Sequence, residues 1–181
     1  MTTSLARAWL AIAATVPLAR SRAEAGGFTA ELAAGVSNAI LVGPSVDVID
    51  PGLAPLLAAA GWQVSARVAV GLRSMSYLIP ATVAGRREPF VASSLGAAAA
   101  MWLGTDLVVG AAIGPCLVWP APGASPYLRS NRGVGVSLRA GWSIGRAAGG
   151  DVLVGGELLP AFFAGGDALV GTLLTVALLW R

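Results

Sequence analysis

The sequence contains no histidine and no lysine, and it has a single cysteine, Cys116. Without histidine there is no Ser–His or Cys–His pair for nucleophilic catalysis, and a histidine-based metal site is excluded. One cysteine cannot form an internal disulfide, and Cys116 lies in an apolar segment, where we expect a buried, unreactive side chain. These absences argue against an enzyme, and we expect neither a cofactor nor a metal.

Charged residues are also scarce: they make up 12% of the 181 residues, whereas hydrophobic residues make up 56%. An average soluble domain has about 25% charged residues, so this chain is short of side chains that face water. The chain also lacks the roughly 18 to 20 uninterrupted apolar residues that a transmembrane helix needs. Its longest candidate after the N-terminus, 90–118, contains Asp106. A membrane-like composition without helix-length runs favours transmembrane strands.

The N-terminus has the layout of a secretory signal peptide. Arg7 precedes the apolar run 8–19, and Ala23-Glu24-Ala25 supplies small residues at the cleavage positions. We therefore predict a signal peptide at 1–25 and one mature domain at 26–181. Removing the signal peptide takes away three arginines and one glutamate, which lowers the formal charge from +3 to +1. Nothing then supports a nucleic-acid partner.

The rest of the chain alternates between apolar residues and small or polar ones. In "GVGVSLRAGWSIG", for example, Val134, Val136 and Leu138 alternate with Ser137 and Arg139. A period of two is typical of a strand, because successive side chains point to opposite faces. The pattern predicts eight strands, at about 27–41, 53–63, 67–79, 90–103, 106–119, 133–144, 151–163 and 168–180.

A tryptophan recurs near the end of every second segment, at intervals of 40, 40 and 38 residues. The connections after the second, fourth and sixth segments are short, whereas those after the first, third and fifth are longer and contain proline. Aromatic rings at both ends of aliphatic strands are expected at the two membrane interfaces. The predicted interface aromatics are Trp62, Trp102, Trp142 and Trp180 at one end, and Trp119, Tyr77, Phe162 and Phe163 at the other.

These features predict an all-β fold, an eight-stranded antiparallel up-and-down transmembrane β-barrel. Strands can cross hydrocarbon only when the sheet closes on itself and leaves no unpaired edge. Two alternatives are a soluble barrel of the lipocalin kind and a polytopic helical membrane protein. The first would carry charge on its outer face, and the second does not explain the period of two or the charges within the apolar segments.

Over residues 26–181 the pattern resembles the small eight-stranded outer-membrane barrels of Gram-negative bacteria, typified by outer membrane proteins A and X. The resemblance implies a location in the bacterial outer membrane. It also implies contact with outer-membrane lipids, including lipopolysaccharide, and delivery by the barrel-insertion machinery. We expect a monomer.

Four charged residues lie on the face of small residues: Glu31, Arg73, Arg139 and Glu157. An eight-stranded barrel is just wide enough for its side chains, and buried charges are tolerated only when paired. We therefore predict an ion-pair network inside the barrel. The alternative is a narrow conducting or gating path.

Two functions follow from these predictions. The first is a structural or interaction role, with loops presented outward and an interior filled by side chains. Arg86, Arg87, Arg129 and Arg132 are then predicted in outward loops, where a guanidinium can bind a lipopolysaccharide phosphate through two hydrogen bonds; solvated loop charge is the alternative. The second function is a small pore for ions or small hydrophobic solutes.

Overall fold

A computed structural model describes residues 27–42, 52–83, 86–120, 131–164, 166 and 168–181. The predicted signal peptide lies outside these ranges. All eight predicted strands are confirmed, including the Ala- and Leu-rich second one, whose composition also favours helix. The strands are β1 (Phe28–Val42), β2 (Gly52–Ser65), β3 (Val68–Val83), β4 (Arg86–Leu103), β5 (Leu107–Pro120), β6 (Asn131–Ala147), β7 (Gly150–Phe163) and β8 (Ala168–Trp180).

The strands form a closed barrel in which each strand is antiparallel to the next in sequence. β8 pairs with β1 from Ala30↔Trp180 to Val42↔Ala168, so neither of these strands is left as an edge. The predicted fold class, an all-β eight-stranded antiparallel barrel, is confirmed. Within the described ranges, no helix has the length and apolar character needed to cross a bilayer.

The strands are staggered around the barrel. We followed the direct partner of each residue from strand to strand, starting at Phe28 on β1. The path returns to β1 at Asn38, ten residues farther along the strand. An offset of this size in eight strands corresponds to a strand tilt of about 40°. The intermediate partners are Trp62, Val70, Ala99, Ala111, Leu138, Leu158 and Thr172.

Apolar side chains cover the outer surface of the barrel. Val36 is 55% exposed, Leu72 58% and Leu174 65%, and each lies on the outward face of its strand. A soluble barrel would carry polar side chains at these positions. The outer surface therefore matches the transmembrane barrel and not the lipocalin alternative.

Several strands extend beyond the predicted segments at the end of the barrel where β4 and β6 begin. β4 begins at Arg86, not at residue 90, and its pairing with β3 continues to Val83↔Arg86. Backbone hydrogen bonds between two strands can continue towards the turn even where the hairpin extends beyond the lipid. The apolar pattern in the sequence indicates only the part of each strand that faces lipid. The prediction that Arg86, Arg87 and Arg132 lie in loops is therefore wrong, because they lie at strand ends.

Arg129, the fourth of the predicted outward arginines, lies outside the described residues. Arg132 is exposed at the start of β6. Contact between these arginines and lipid phosphates stays a prediction of the sequence.

Candidate functional site: an ion cluster inside the barrel

The four inward charges that the sequence pattern singles out meet inside the barrel. Arg73 on β3 contacts both acids: its Nη1 lies 2.9 Å from Glu31 Oε1, and its Nη2 lies 2.8 Å from Glu157 Oε2. Its Nε also donates to Glu157 Oε1 over 3.2 Å, so the guanidinium holds Glu157 through two bonds. β3 and β7 lie four strands apart in an eight-stranded barrel. The Arg73–Glu157 pair therefore crosses the full width of the lumen.

Arg139 and Ser137, both on β6, complete this group, which we call the lumen ion cluster. Arg139 Nη1 pairs with Glu31 Oε2, and the Ser137 hydroxyl donates to Glu157 Oε1. Strand register places Arg139 directly opposite Glu157. Its guanidinium nevertheless pairs with Glu31, three strands away, because Arg73 and Ser137 already occupy the Glu157 carboxylate.

The lumen ion cluster balances two carboxylates with two guanidinium groups. The side chains of Glu31, Arg73 and Glu157 are at most 3% exposed, so each is shielded from bulk water. Burial of a charge is tolerated when a partner and further hydrogen bonds replace the water, and each carboxylate here receives at least two such contacts. The cluster joins β1, β3, β6 and β7 through the interior, so it cross-links four strands across the lumen.

Apolar side chains fill the lumen on both sides of the cluster. The expected inward face of small residues is interrupted even beside the cluster, where the buried Leu173 pairs with Glu157 in the sheet, and large apolar side chains point inward towards both ends. These are Trp102, Val108, Leu153 and Leu179 at the end where the even-numbered strands finish, and Tyr77, Ile79, Leu159, Phe163 and Leu169 at the other end.

Two cavities lie against the cluster on its Trp102 side, with volumes of about 40 Å³ and 20 Å³. A water molecule needs roughly 10–15 Å³ of such space. Each cavity therefore has room for a few water molecules at most.

The outward aromatic residues lie at the two ends of the barrel. Trp62 and Trp142 are 58% and 55% exposed, and Phe28 packs edge-on against Trp62 with ring centroids 5.3 Å apart. Trp180, at the same end, is partly buried, and its Nε1 donates to the Ala148 carbonyl oxygen over 3.0 Å. At the opposite end, Phe162 is exposed and Trp119 partly buried, both on the outward face.

Three predicted interface aromatics point into the lumen, so their assignment to the lipid interface is wrong. Trp102 is 2% exposed, Tyr77 3% and Phe163 7%. Tyr77 is four residues from Arg73 and Phe163 is six from Glu157. Even separations put residues on one face of a strand, so the sequence held the signal for both. Trp102 lies two residues after a run of four alanines, 97–100, in which the two faces of the strand look alike.

This division of the aromatic residues predicts a difference in depth and environment among the tryptophans. Single-tryptophan variants that retain Trp62 or Trp142 should be quenched by lipid-attached probes near one interface, because these rings face outward. A variant that retains Trp102 should be quenched weakly by probes at every depth. Quenching of Trp102 as strong as that of Trp62 would contradict its inward orientation.

Comparison with known proteins supports the fold. No family model and no curated protein matches the sequence. The solved structures that are similar include three outer-membrane proteins. They are Ail, the attachment invasion locus protein of Yersinia pestis, in complex with the heparin analogue sucrose octasulfate; Neisserial surface protein A; and the outer membrane protein OprG from Pseudomonas aeruginosa.

The structural likeness extends over most of each chain, whereas the sequences have little in common. Ail has a TM-score of 0.64 at 6% identity, with 86% of this chain and 99% of that chain covered. Surface protein A has a TM-score of 0.61 at 15% identity, covering 86% and 98%. OprG has a TM-score of 0.53 at 8% identity, covering 88% and 99%. The chain thus has the fold of the small eight-stranded outer-membrane barrels.

Proposed function

We propose that this protein is an integral outer-membrane barrel with a closed interior, and that its role is structural or interactive and not transport. The apolar outer surface supports the membrane location. Exposed Val, Leu and Trp side chains around a closed barrel are stable in hydrocarbon and would promote aggregation in water.

The proposal of a closed interior rests on the ion pair that Arg73 makes with Glu157 across the lumen. The apolar side chains on both sides of the cluster add two further obstacles to ions. An ion moving along the axis would have to separate a buried, doubly bonded pair and then cross an apolar layer, and both steps are unfavourable in a medium of low dielectric constant. Such a barrel acts through its surfaces.

Cell fractionation tests the location. We expect the protein in the outer membrane and, because the predicted signal peptide is removed on export, an intact mass that lacks residues 1–25. Recovery in the inner membrane with Met1 retained would contradict both the location and the proposed cleavage.

Conductance in planar lipid bilayers separates a closed barrel from a pore. The purified, folded protein is expected to give no stable unitary currents, because the lumen ion cluster blocks the path. Insertion should be checked in liposomes from the same preparation by protease protection of the barrel. Reproducible currents from correctly inserted protein would support the alternative, a small pore for ions or small solutes.

A further inference from the structure

The larger of the two cavities forms a small chamber between Trp102 and the lumen ion cluster. Its volume is about 40 Å³. Its lining includes polar or charged side chains (Thr29, Glu31, Arg73 and Arg139) and large apolar ones (Trp102 and Leu179). The chamber is therefore amphipathic, because its lining includes both charged groups and the indole.

Within the part of the chain that the structure describes, two buried donors at this end of the barrel have no hydrogen-bond partner in the protein. They are Nε1 of Trp102 and Nε2 of Gln63, and each residue is 2% exposed. A buried N–H without an acceptor is unfavourable and rare in folded proteins. The indole N–H can only donate, so the missing partner of Trp102 must be an acceptor.

Water fits both the chemistry and the size of the chamber. A water molecule can accept from the indole and donate to a carboxylate, and Glu31 supplies one in the same chamber. At roughly 10–15 Å³ for each molecule, the chamber has room for about two or three. A larger ligand does not fit.

Arg181 lies over the Trp102 ring at the end of the barrel. Its Nε lies 3.2 Å from Asp151 Oδ2 on β7, and its guanidinium carbon lies 5.4 Å from the centre of the Trp102 ring. Arg181 directly follows β8, whereas Trp102 is on β4, four strands away. The arginine side chain therefore reaches across the mouth of the barrel and stacks on the indole, a favourable cation–π geometry.

We propose that the chamber is a binding site for ordered water that joins the Trp102 indole to the lumen ion cluster, and that Arg181 closes this site from bulk solvent. The inference rests on the barrel fold and the interior contacts alone. It is independent of the surface role proposed above, so the failure of one leaves the other standing.

Nuclear magnetic resonance tests the water site directly. In folded protein labelled with ¹⁵N-tryptophan, Trp102→Phe identifies the Trp102 indole signal. In a laboratory-frame nuclear Overhauser experiment, we expect a cross-peak between this N–H and water. The cross-peak should have the sign that long-lived, bound water gives. The outward Trp142 indole is the control and should show only short-lived water. A Trp102 indole with no bound-water signal would overturn the proposal, because the chamber would then be dry.

Removal of the arginine tests the closure. In a variant whose other mature tryptophans are phenylalanine, Arg181→Gln should raise acrylamide quenching of Trp102 by about two- to fivefold, the change expected when one partly exposed cation–π and ion-pair contact is lost. Arg146→Gln is the matched control, since Arg146 pairs with the same Asp151 but is 74% exposed. Quenching unchanged in Arg181→Gln, or raised equally in both variants, would overturn the role of Arg181.

Discussion

Replacing Arg73 with methionine is expected to destabilise the folded barrel by about 3–5 kcal/mol. Methionine keeps much of the side-chain volume but removes every contact to Glu31 and Glu157. Two buried carboxylates are then left with one arginine and one hydroxyl between them, and an unpaired charge in a desolvated interior is strongly unfavourable. Arg139→Met should lower the free energy of unfolding by less than Arg73→Met does, because the Arg139 side chain is 14% exposed and its ion pair is with Glu31.

Urea unfolding in lipid vesicles measures these free energies. Arg146→Met is the control for loss of an arginine that pairs at the surface, and it should change the free energy of unfolding by about 0–1 kcal/mol. Equal losses for Arg73→Met and Arg146→Met would mean that water solvates the cluster, which would favour the pore alternative.

A double-mutant cycle then tests which charges meet. Arg139→Met with Glu31→Gln should show a coupling energy of about 0.5–3 kcal/mol, the range for residues in contact. Arg139→Met with Glu157→Gln should be closer to additive, although these two residues are direct neighbours in the sheet. The reverse result would place Arg139 on Glu157 and contradict the pairing described above.

The second large effect is expected at Gly71, where alanine should cost about 4 kcal/mol or more, or prevent folding. Gly71 and Gly61 are direct partners on β3 and β2. A Cβ at Gly71 would overlap the backbone carbonyl oxygen of Ala60 and lie 2.5 Å from the Cα of Gly61. These are backbone atoms that cannot rotate away, so the two strands would have to separate. Paired glycines of this kind allow a small barrel to bend sharply.

Two further glycines provide graded controls for this effect. A Cβ at Gly135 would meet the Cβ of Cys116 at 3.3 Å, a contact that a backbone shift of a few tenths of an ångström relieves, whereas a Cβ at Gly145 would have no atom within 4 Å. The expected order of destabilisation is Gly71→Ala, then Gly135→Ala, then Gly145→Ala. The folded fraction after refolding and the free energy of unfolding both report this order. A Gly71→Ala protein as stable as Gly145→Ala would contradict the close approach of β2 and β3.

The sequence by itself determines the number of strands, their antiparallel order and the lipid-facing surface. Each of these follows from local information: alternation decides the face of a residue relative to its neighbours in one strand, and short connections decide which strands pair. The same alternation marks Arg73 and Arg139 as inward residues. It also marks Tyr77 and Phe163 as inward, although their aromatic character suggested an interface position.

Only the tertiary structure decides which inward residues meet. The ten-residue offset around the barrel and the width of the lumen bring Arg139 to Glu31, three strands away, and leave the adjacent Glu157 to Arg73. The face of Trp102 and its contact with Arg181 are also set by the closed sheet, because a run of alanines has no polarity to orient the strand. Alternation acts between neighbours along one strand, whereas these contacts depend on how all eight strands close into a ring.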